Sequence, residues 1–235
     1  MHFVFDVDGT LTPSRQTIVP SFQNYFSKFV STHNVSLVTG SDISKTKDQL
    51  GTMIVNMVDF CFNCSGSDIW SGVKNIHTSN WILPQDAHEW LSEQLSQSRF
   101  VLRTGLHFEH RPGMCNFSVV GRNATMGERK LYVEWDTKVN EREKIATKFK
   151  KIFPNIEAKV GGETGLDIFP VGNDKSQILN WIKDDEIYFF GDAMGKNGND
   201  YPLAKALKKY PKSKSFQVDN WQATFALLEK IDKTL

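Results

Sequence analysis

Phe3-Val4-Phe5 is a near-continuous apolar run that stops at Asp6-Val7-Asp8-Gly9-Thr10. Such a run, ended by a turn, is the pattern of a parallel strand buried on both faces. Helical spacing follows over 21–31, and Val35 to Val38 reads as a second strand running into Thr39-Gly40-Ser41-Asp42. A helix over 43–50 then takes Ser41 or Asp42 as its N-cap, and Phe60 to Phe62 forms a third strand. This alternation predicts an α/β fold whose parallel sheet has right-handed crossovers and holds ligands beyond the carboxyl ends of its strands.

The tempo changes after about Asn75: a tryptophan-rich stretch and a helix over 85–97 lead to strands at 106–110 and 114–120. A helix over 141–152 and strands at 156–160 and 165–169 follow. Antiparallel strands with two helices predict an inserted α+β domain over 79–172, interrupting a core made of 1–78 and 173–235. Within it, Met114, Asn116 and Ser118 point to one strand face, while Cys115, Phe117 and Val119 point to the other, toward the helices. The core pattern resumes with a helix over 175–182 and a strand from Ile187 to Phe190 that ends in Gly191-Asp192. A helix over 201–208, a strand over 215–218 and a helix over 221–231 complete it.

Composition narrows the class without changing this outline. Of 235 residues, 40% are hydrophobic and 23% charged, which is ordinary globular usage with no disorder signature. A net charge of +1, with like charges gathered only at 148–151 and 208–214, argues against a nucleic-acid partner. Asp6 and Asp8 interrupt the N-terminus where a signal peptide needs apolar residues, and no run approaches membrane-spanning length. No membrane partner and a cytoplasmic location are therefore expected. Three cysteines make no disulfide framework, and Cys61, set between Phe60 and Phe62, reads as a small core hydrophobe and not as half of a metal or redox pair with Cys64.

The acidic residues carry the chemistry. Asp6 and Asp8 are two apart, so a persisting strand would point both carboxylates to one side at the strand end. Asp6 suits direct attack on a phosphoryl group, forming an aspartyl-phosphate, and Asp8 the proton of the leaving or accepting oxygen. Gly191-Asp192 and Asn199-Asp200 bring further carboxylates beside a second apolar strand. Asp6, Asp8 and Asp192 would ligate Mg²⁺, with Asp200 behind them, because a hard cation takes oxygen ligands and offsets their mutual repulsion. Lys175 opens a helix and would bridge the nucleophile and a phosphate oxygen. Thr39, with the amides of Gly40 and Ser41, is either a phosphate cradle at a helix start or simply a cap. Each signal alone has a plain structural reading; their order, each at a strand end, is what one site requires.

Asp6-Val7-Asp8-Gly9-Thr10, Thr39, Lys175 and Gly191-Asp192 with Asp200 resemble the four motifs of haloacid-dehalogenase-like (HAD) enzymes. Leu11-Thr12, Arg15-Gln16, Gly113-Met114 with Asn116 and Ser118, Gly121-Arg122, Gly161-Gly162, Asp167 with Phe169-Pro170, Asp174-Lys175 and Phe189-Phe190-Gly191-Asp192 narrow the resemblance to eukaryotic-type phosphomannomutases. That resemblance implies a Rossmann-like HAD core with a C2-type α+β cap and an Mg²⁺-dependent exchange of mannose 6-phosphate and mannose 1-phosphate for GDP-mannose synthesis. Hexose 1,6-bisphosphate would be intermediate and activator. It further implies that Arg111, Arg122 and Arg129 of the cap grip phosphate and sugar, that Asp167 meets a sugar hydroxyl, that Arg15 and Lys45 make core contacts, and that the protein dimerises through the cap.

Three departures from the family pattern keep other readings in view. Thr39 stands where these mutases have Gly, as in related sugar phosphatases; Gly165 replaces a serine; and Pro112-Gly113 replaces the Asn-Gly hairpin turn. An Mg²⁺-dependent sugar-phosphate phosphatase is the first alternative, and a non-catalytic sugar-phosphate binder the second.

Overall fold

The N-terminal apolar run becomes β1 (His2–Phe5), and all four of its residues are buried, because apolar layers cover both faces of the strand. In the computed structural model, which describes residues 1–184 and 186–233, β1 pairs in parallel with β2 (Val35–Val38) on one side and β10 (Ile187–Gly191) on the other. β3 (Phe60–Asn63) extends the sheet beyond β2, and β11 (Lys214–Gln217) extends it beyond β10, both in parallel. Two antiparallel strands, β4 (Asp68–Ser71) and β5 (Lys74–Thr78), finish one edge, giving the order β11-β10-β1-β2-β3-β4-β5.

The pleat sends Phe3 and Phe5 to one face and Val4 to the other. The first face packs on α1 (Pro20–Thr32), α2 (Ile43–Leu50), α3 (Thr52–Met57) and α8 (Trp221–Asp232) through Phe22, Phe26, Phe29, Leu50, Ile54 and Leu228. In α1 the buried residues recur at three- and four-residue spacing behind a proline in the first turn, so the apolar stripe and the start signal coincide. The second face packs on a 3₁₀ helix (Lys175–Asn180) and α7 (Tyr201–Leu207) through Ile178, Leu203 and Leu207. These elements form one compact unit, Met1–Thr78 with Gly172–Leu235.

The second unit, Ser79–Val171, has its own core. Its antiparallel sheet runs β6 (Phe108–Arg111), β7 (Met114–Ser118), β9 (Gly165–Pro170), β8 (Ile156–Gly161). Cys115, Phe117, Leu166 and Ile168 face α4 (Gln85–Gln97), α5 (Met126–Val139) and α6 (Glu141–Ile152), meeting Leu91, Tyr132 and Phe149. The register sets Glu109, Asn116, Asp167 and Lys159 in one row across the four strands, on the opposite face.

Four features depart from the sequence reading. The helix expected over 175–182 is a 3₁₀ helix over Lys175–Asn180, whose three-residue repeat sets buried Lys175 and Ile178 on one edge. The second unit has three helices, not two; α5 escaped notice because only Tyr132 and Asp136 of its fourteen residues are buried. The short α3 was not anticipated. Nor was the β4–β5 hairpin: every residue of β5 is exposed, so no apolar alternation marks it. Cys61, Cys64 and Cys115 are all buried, and burial pushes the Cys61 thiol up to about 12, which keeps it a thiol and not a nucleophilic thiolate. Among the described residues no helix is long and apolar enough to cross a membrane.

Candidate active site

The carboxyl end of β1 delivers Asp6 to a buried position, where its amide donates to the Phe190 carbonyl and continues the β1–β10 ladder. Its Oδ1 accepts from Lys175 Nζ at 2.6 Å, and its Oδ2 from Thr10 Oγ1 at 3.4 Å. The same ammonium donates to Asp200 Oδ1 at 2.7 Å, and Asp200 Oδ2 accepts from the Ala193 amide at 3.0 Å. Asp174 caps the 3₁₀ helix through the Ser176 amide, fixing the turn that aims Lys175 inward. One carboxylate oxygen each from Asp6, Asp192 and Asp200 lies within 4.8 Å of the others. Gly9, at φ 80, lets the Asp192 carboxylate approach, since a Cβ there would collide with it.

Burial governs the electrostatics. It pushes the Asp6 carboxyl up to about 7 against the pull of Lys175, with Asp200 and Asp192 adding to the rise. Burial alone would lower the Lys175 ammonium; Asp200 and Asp6 more than offset it and hold it above its ordinary value. One lysine thus faces three clustered carboxylates, and a second positive charge at the group would relieve their repulsion. Three hard oxygen donors around one point fit a divalent cation of the Mg²⁺ type.

Asp8 does not join this group. Strand geometry ends at Phe5, and the amides of Thr10, Leu11 and Thr12 all turn back to the Val7 carbonyl, so the two-residue alternation that would align Asp8 with Asp6 no longer applies. Its Oδ1 instead accepts from the Arg15 amide at 2.6 Å and Gln49 Nε2 at 2.9 Å, and Lys45 Nζ stands 3.8 Å from Oδ2. Arg15 itself is exposed at φ 60. Thr39 is buried and accepts from the Ser41 amide at 3.1 Å, while the cap of α2 is Asp42, which receives the Lys45 amide. Ser41 is buried too, its carbonyl taken by the Cys64 amide.

In the second unit the polar row is connected. Asn116 Nδ2 donates to Asp167 Oδ1 at 2.6 Å, and Arg122 NH1 donates to Asn116 Oδ1 at 3.1 Å. Gly165 leaves room for this amide, because a Cβ there would stand 2.6 Å from Asn116 Nδ2. Burial raises the Asp167 carboxyl, with Asn116 and the arginines pulling the other way. Arg111 and Arg122 meet at Glu109: Arg111 Nε lies 2.7 Å from Oε1, and Arg122 Nε donates to Oε2. Pro112-Gly113 closes the β6–β7 hairpin with Gly113 at φ 69, the value its second turn position needs when proline holds the first. Arg129 is tied to Glu163 at 3.1 Å, and the Ser118 hydroxyl donates to the Thr164 carbonyl at 3.1 Å.

Sequence reasoning missed Gln49 and Glu109, and gave Thr10 no role beyond its place in the Asp6–Thr10 motif. Glu109 had a usable signal, since Glu-x-Arg on a strand puts both side chains on one face; Gln49, 41 residues from Asp8, had none.

Parallel strands with a lysine and three carboxylates gathered at their carboxyl ends define the haloacid-dehalogenase-like class. A solved haloacid dehalogenase-like hydrolase from Bacteroides thetaiotaomicron has the same fold, with a TM-score of 0.62 and 14% identity over 97% of this chain and 98% of that one. Within the class the sequence is more specific: residues 22–233 match the eukaryotic phosphomannomutase family. The phosphomannomutase of Saccharomyces cerevisiae is 33% identical over 217 residues, spanning 85% of this chain and 83% of its own. That of Drosophila melanogaster is 34% identical over 214 residues, spanning 85% and 84%. The chain belongs to the eukaryotic phosphomannomutase family.

Proposed function

We propose that the protein interconverts mannose 6-phosphate and mannose 1-phosphate in the cytoplasm, through an aspartyl-phosphate on Asp6 and a hexose 1,6-bisphosphate. The observation that carries this reading is the buried Asp6–Lys175–Asp200 array beside Asp192, in a chain of this family. A carboxylate oxygen of Asp6 attacks one phosphorus of hexose 1,6-bisphosphate, the bond from that phosphorus to the sugar oxygen breaks, and that oxygen takes a proton from Asp8, leaving a hexose monophosphate and the aspartyl-phosphate. In the return step Asp8 removes a proton from the free hydroxyl of a bound mannose monophosphate, which attacks the aspartyl-phosphate, frees Asp6 and forms the 1,6-bisphosphate, whose other phosphoryl group Asp6 then takes. Lys175 keeps one Asp6 oxygen fixed and neutralises part of the transferring charge. Mg²⁺, held by Asp6, Asp192 and Asp200, would supply the remaining positive charge. Arg111 and Arg122 of the second unit would hold a phosphate, with Asn116 and Asp167 on a sugar hydroxyl; hexose 1,6-bisphosphate would prime Asp6.

Self-association through the second unit belongs to the same proposal, supported by exposed Leu106, Met126 and Leu131. The buried Thr39 hydroxyl at the end of β2 favours a second reading, in which water takes the aspartyl-phosphate and the chain is a sugar-phosphate phosphatase. Phosphate release and 1-to-6 conversion measured side by side on mannose 1-phosphate, with Mg²⁺ and a catalytic amount of bisphosphate, separate the two. Conversion without release is expected; release without conversion would move the chain to the phosphatases.

A further inference from the structure

Glu109 is a carboxylate shared by two guanidiniums. It stands on β6 two residues before Arg111 and directly opposite Asn116 on β7, so its side chain shares a face with both. Oε1 receives Arg111 through Nε at 2.7 Å and NH2 at 2.6 Å, a two-pronged contact. Oε2 receives Arg122 through Nε, while Arg122 NH1 reaches Asn116 Oδ1 at 3.1 Å. Arg122 is thus fixed on two edges by two different strands. Guanidinium side chains are long and rotamer-rich, and ordering a pair of them on binding costs affinity unless something in the free protein has already ordered them.

We infer that Glu109 is a positioning residue that pre-assembles Arg111 and Arg122 as one phosphate-binding pair and aligns that pair with the sugar-facing Asn116–Asp167 row. The inference deepens the sugar-phosphate reading and rests on it. Charge supports the assignment: two guanidiniums and one carboxylate leave one net positive charge on the trio, enough to attract a phosphate monoester while the arginines stay apart. Burial alone would raise the Glu109 carboxyl, but Arg111 and then Arg122 hold it below its usual range, so it is ionised wherever the arginines must be held. The bland alternative is a purely structural ion-pair trio stitching β6 to the Arg122 loop. It predicts lost stability with no selective effect on binding.

The test compares Glu109→Ala and Glu109→Gln with the wild-type chain, using mannose 1-phosphate, Mg²⁺ and a catalytic amount of hexose 1,6-bisphosphate, with melting temperature recorded in parallel. Glutamine keeps the volume and one acceptor oxygen but cannot receive both arginines, so it remains informative if the alanine variant folds poorly. The expected result is a KM raised about tenfold or more in Glu109→Ala, an intermediate rise in Glu109→Gln, and in both a change in KM several times larger than the change in kcat. An unchanged or lowered KM in both variants overturns the inference, the lowered value meaning that Glu109 competes with phosphate. Equal losses in KM and kcat that follow the fall in melting temperature overturn it as well. A wild-type chain that neither converts nor hydrolyses the sugar phosphate would instead count against the function proposed above, so the two failures are distinguishable.

Discussion

A single oxygen-to-nitrogen change tests the nucleophile. Asp6→Asn keeps the shape and one contact with Lys175 but removes the attacking charge, and should lower kcat by roughly four orders of magnitude with circular dichroism unchanged. Gly9→Ala should act on the neighbouring group. At φ 80 a Cβ is strained and runs into the Asp192 carboxylate, so the expected outcome is Mg²⁺ affinity weakened about tenfold or more, read by calorimetry. The sequence named Asp6, Lys175, Asp192 and Asp200, because each sits where an apolar strand or a helix start stops. Asp8 does not align with Asp6 as the two-residue spacing suggests, because such alternation holds only while the backbone stays extended, and the turn onto the Val7 carbonyl begins before Asp8 is reached. Contacts such as Gln49 to Asp8 were illegible, since nothing local ties residues 41 positions apart.

Elements were legible in proportion to how one-sided their burial is. α1 and the central strands announce themselves through phenylalanines at fixed spacing, whereas α5 hides its two buried residues among exposed ones. α5 therefore depends on its ends. Its start is a capping box in which the Thr125 hydroxyl accepts from the Glu128 amide and the Glu128 carboxylate accepts from the Thr125 amide. Thr125→Ala should cost about 1 kcal/mol of stability, checked by urea unfolding, with a smaller loss in Thr125→Ser. The 3₁₀ helix carrying Lys175 looked like ordinary helix in sequence because helix-forming residues do not encode a three-residue repeat; the need to bury a charged side chain and Ile178 on one edge does.

Across the whole sheet one imidazole joins several strand starts. His2 on β1 contacts Ser36 of β2 at 2.8 Å and Asp184 at 3.0 Å, with Asp59 4.0 Å away. Burial lowers its pKa from 6.5, although Asp184 and Asp59 pull it upward. The unfolded chain then takes up a proton that the folded one resists, so the His2 contribution is complete above 6.5 and shrinks as pH falls below it. Between about pH 7.5 and about pH 5.5 the melting temperature should drop further in the wild-type chain than in His2→Asn, both measured with Mg²⁺ present; equal drops would assign the pH dependence elsewhere. The strand order itself has a kinetic consequence. β1 pairs with β10 as well as β2, and Lys175 reaches Asp6 across 169 positions, so the two halves of the sheet are translated on either side of the inserted unit. While the ribosome makes that insertion, the nascent chain carries β1 with one edge unzipped, and its need for chaperones should persist until β10 clears the exit tunnel.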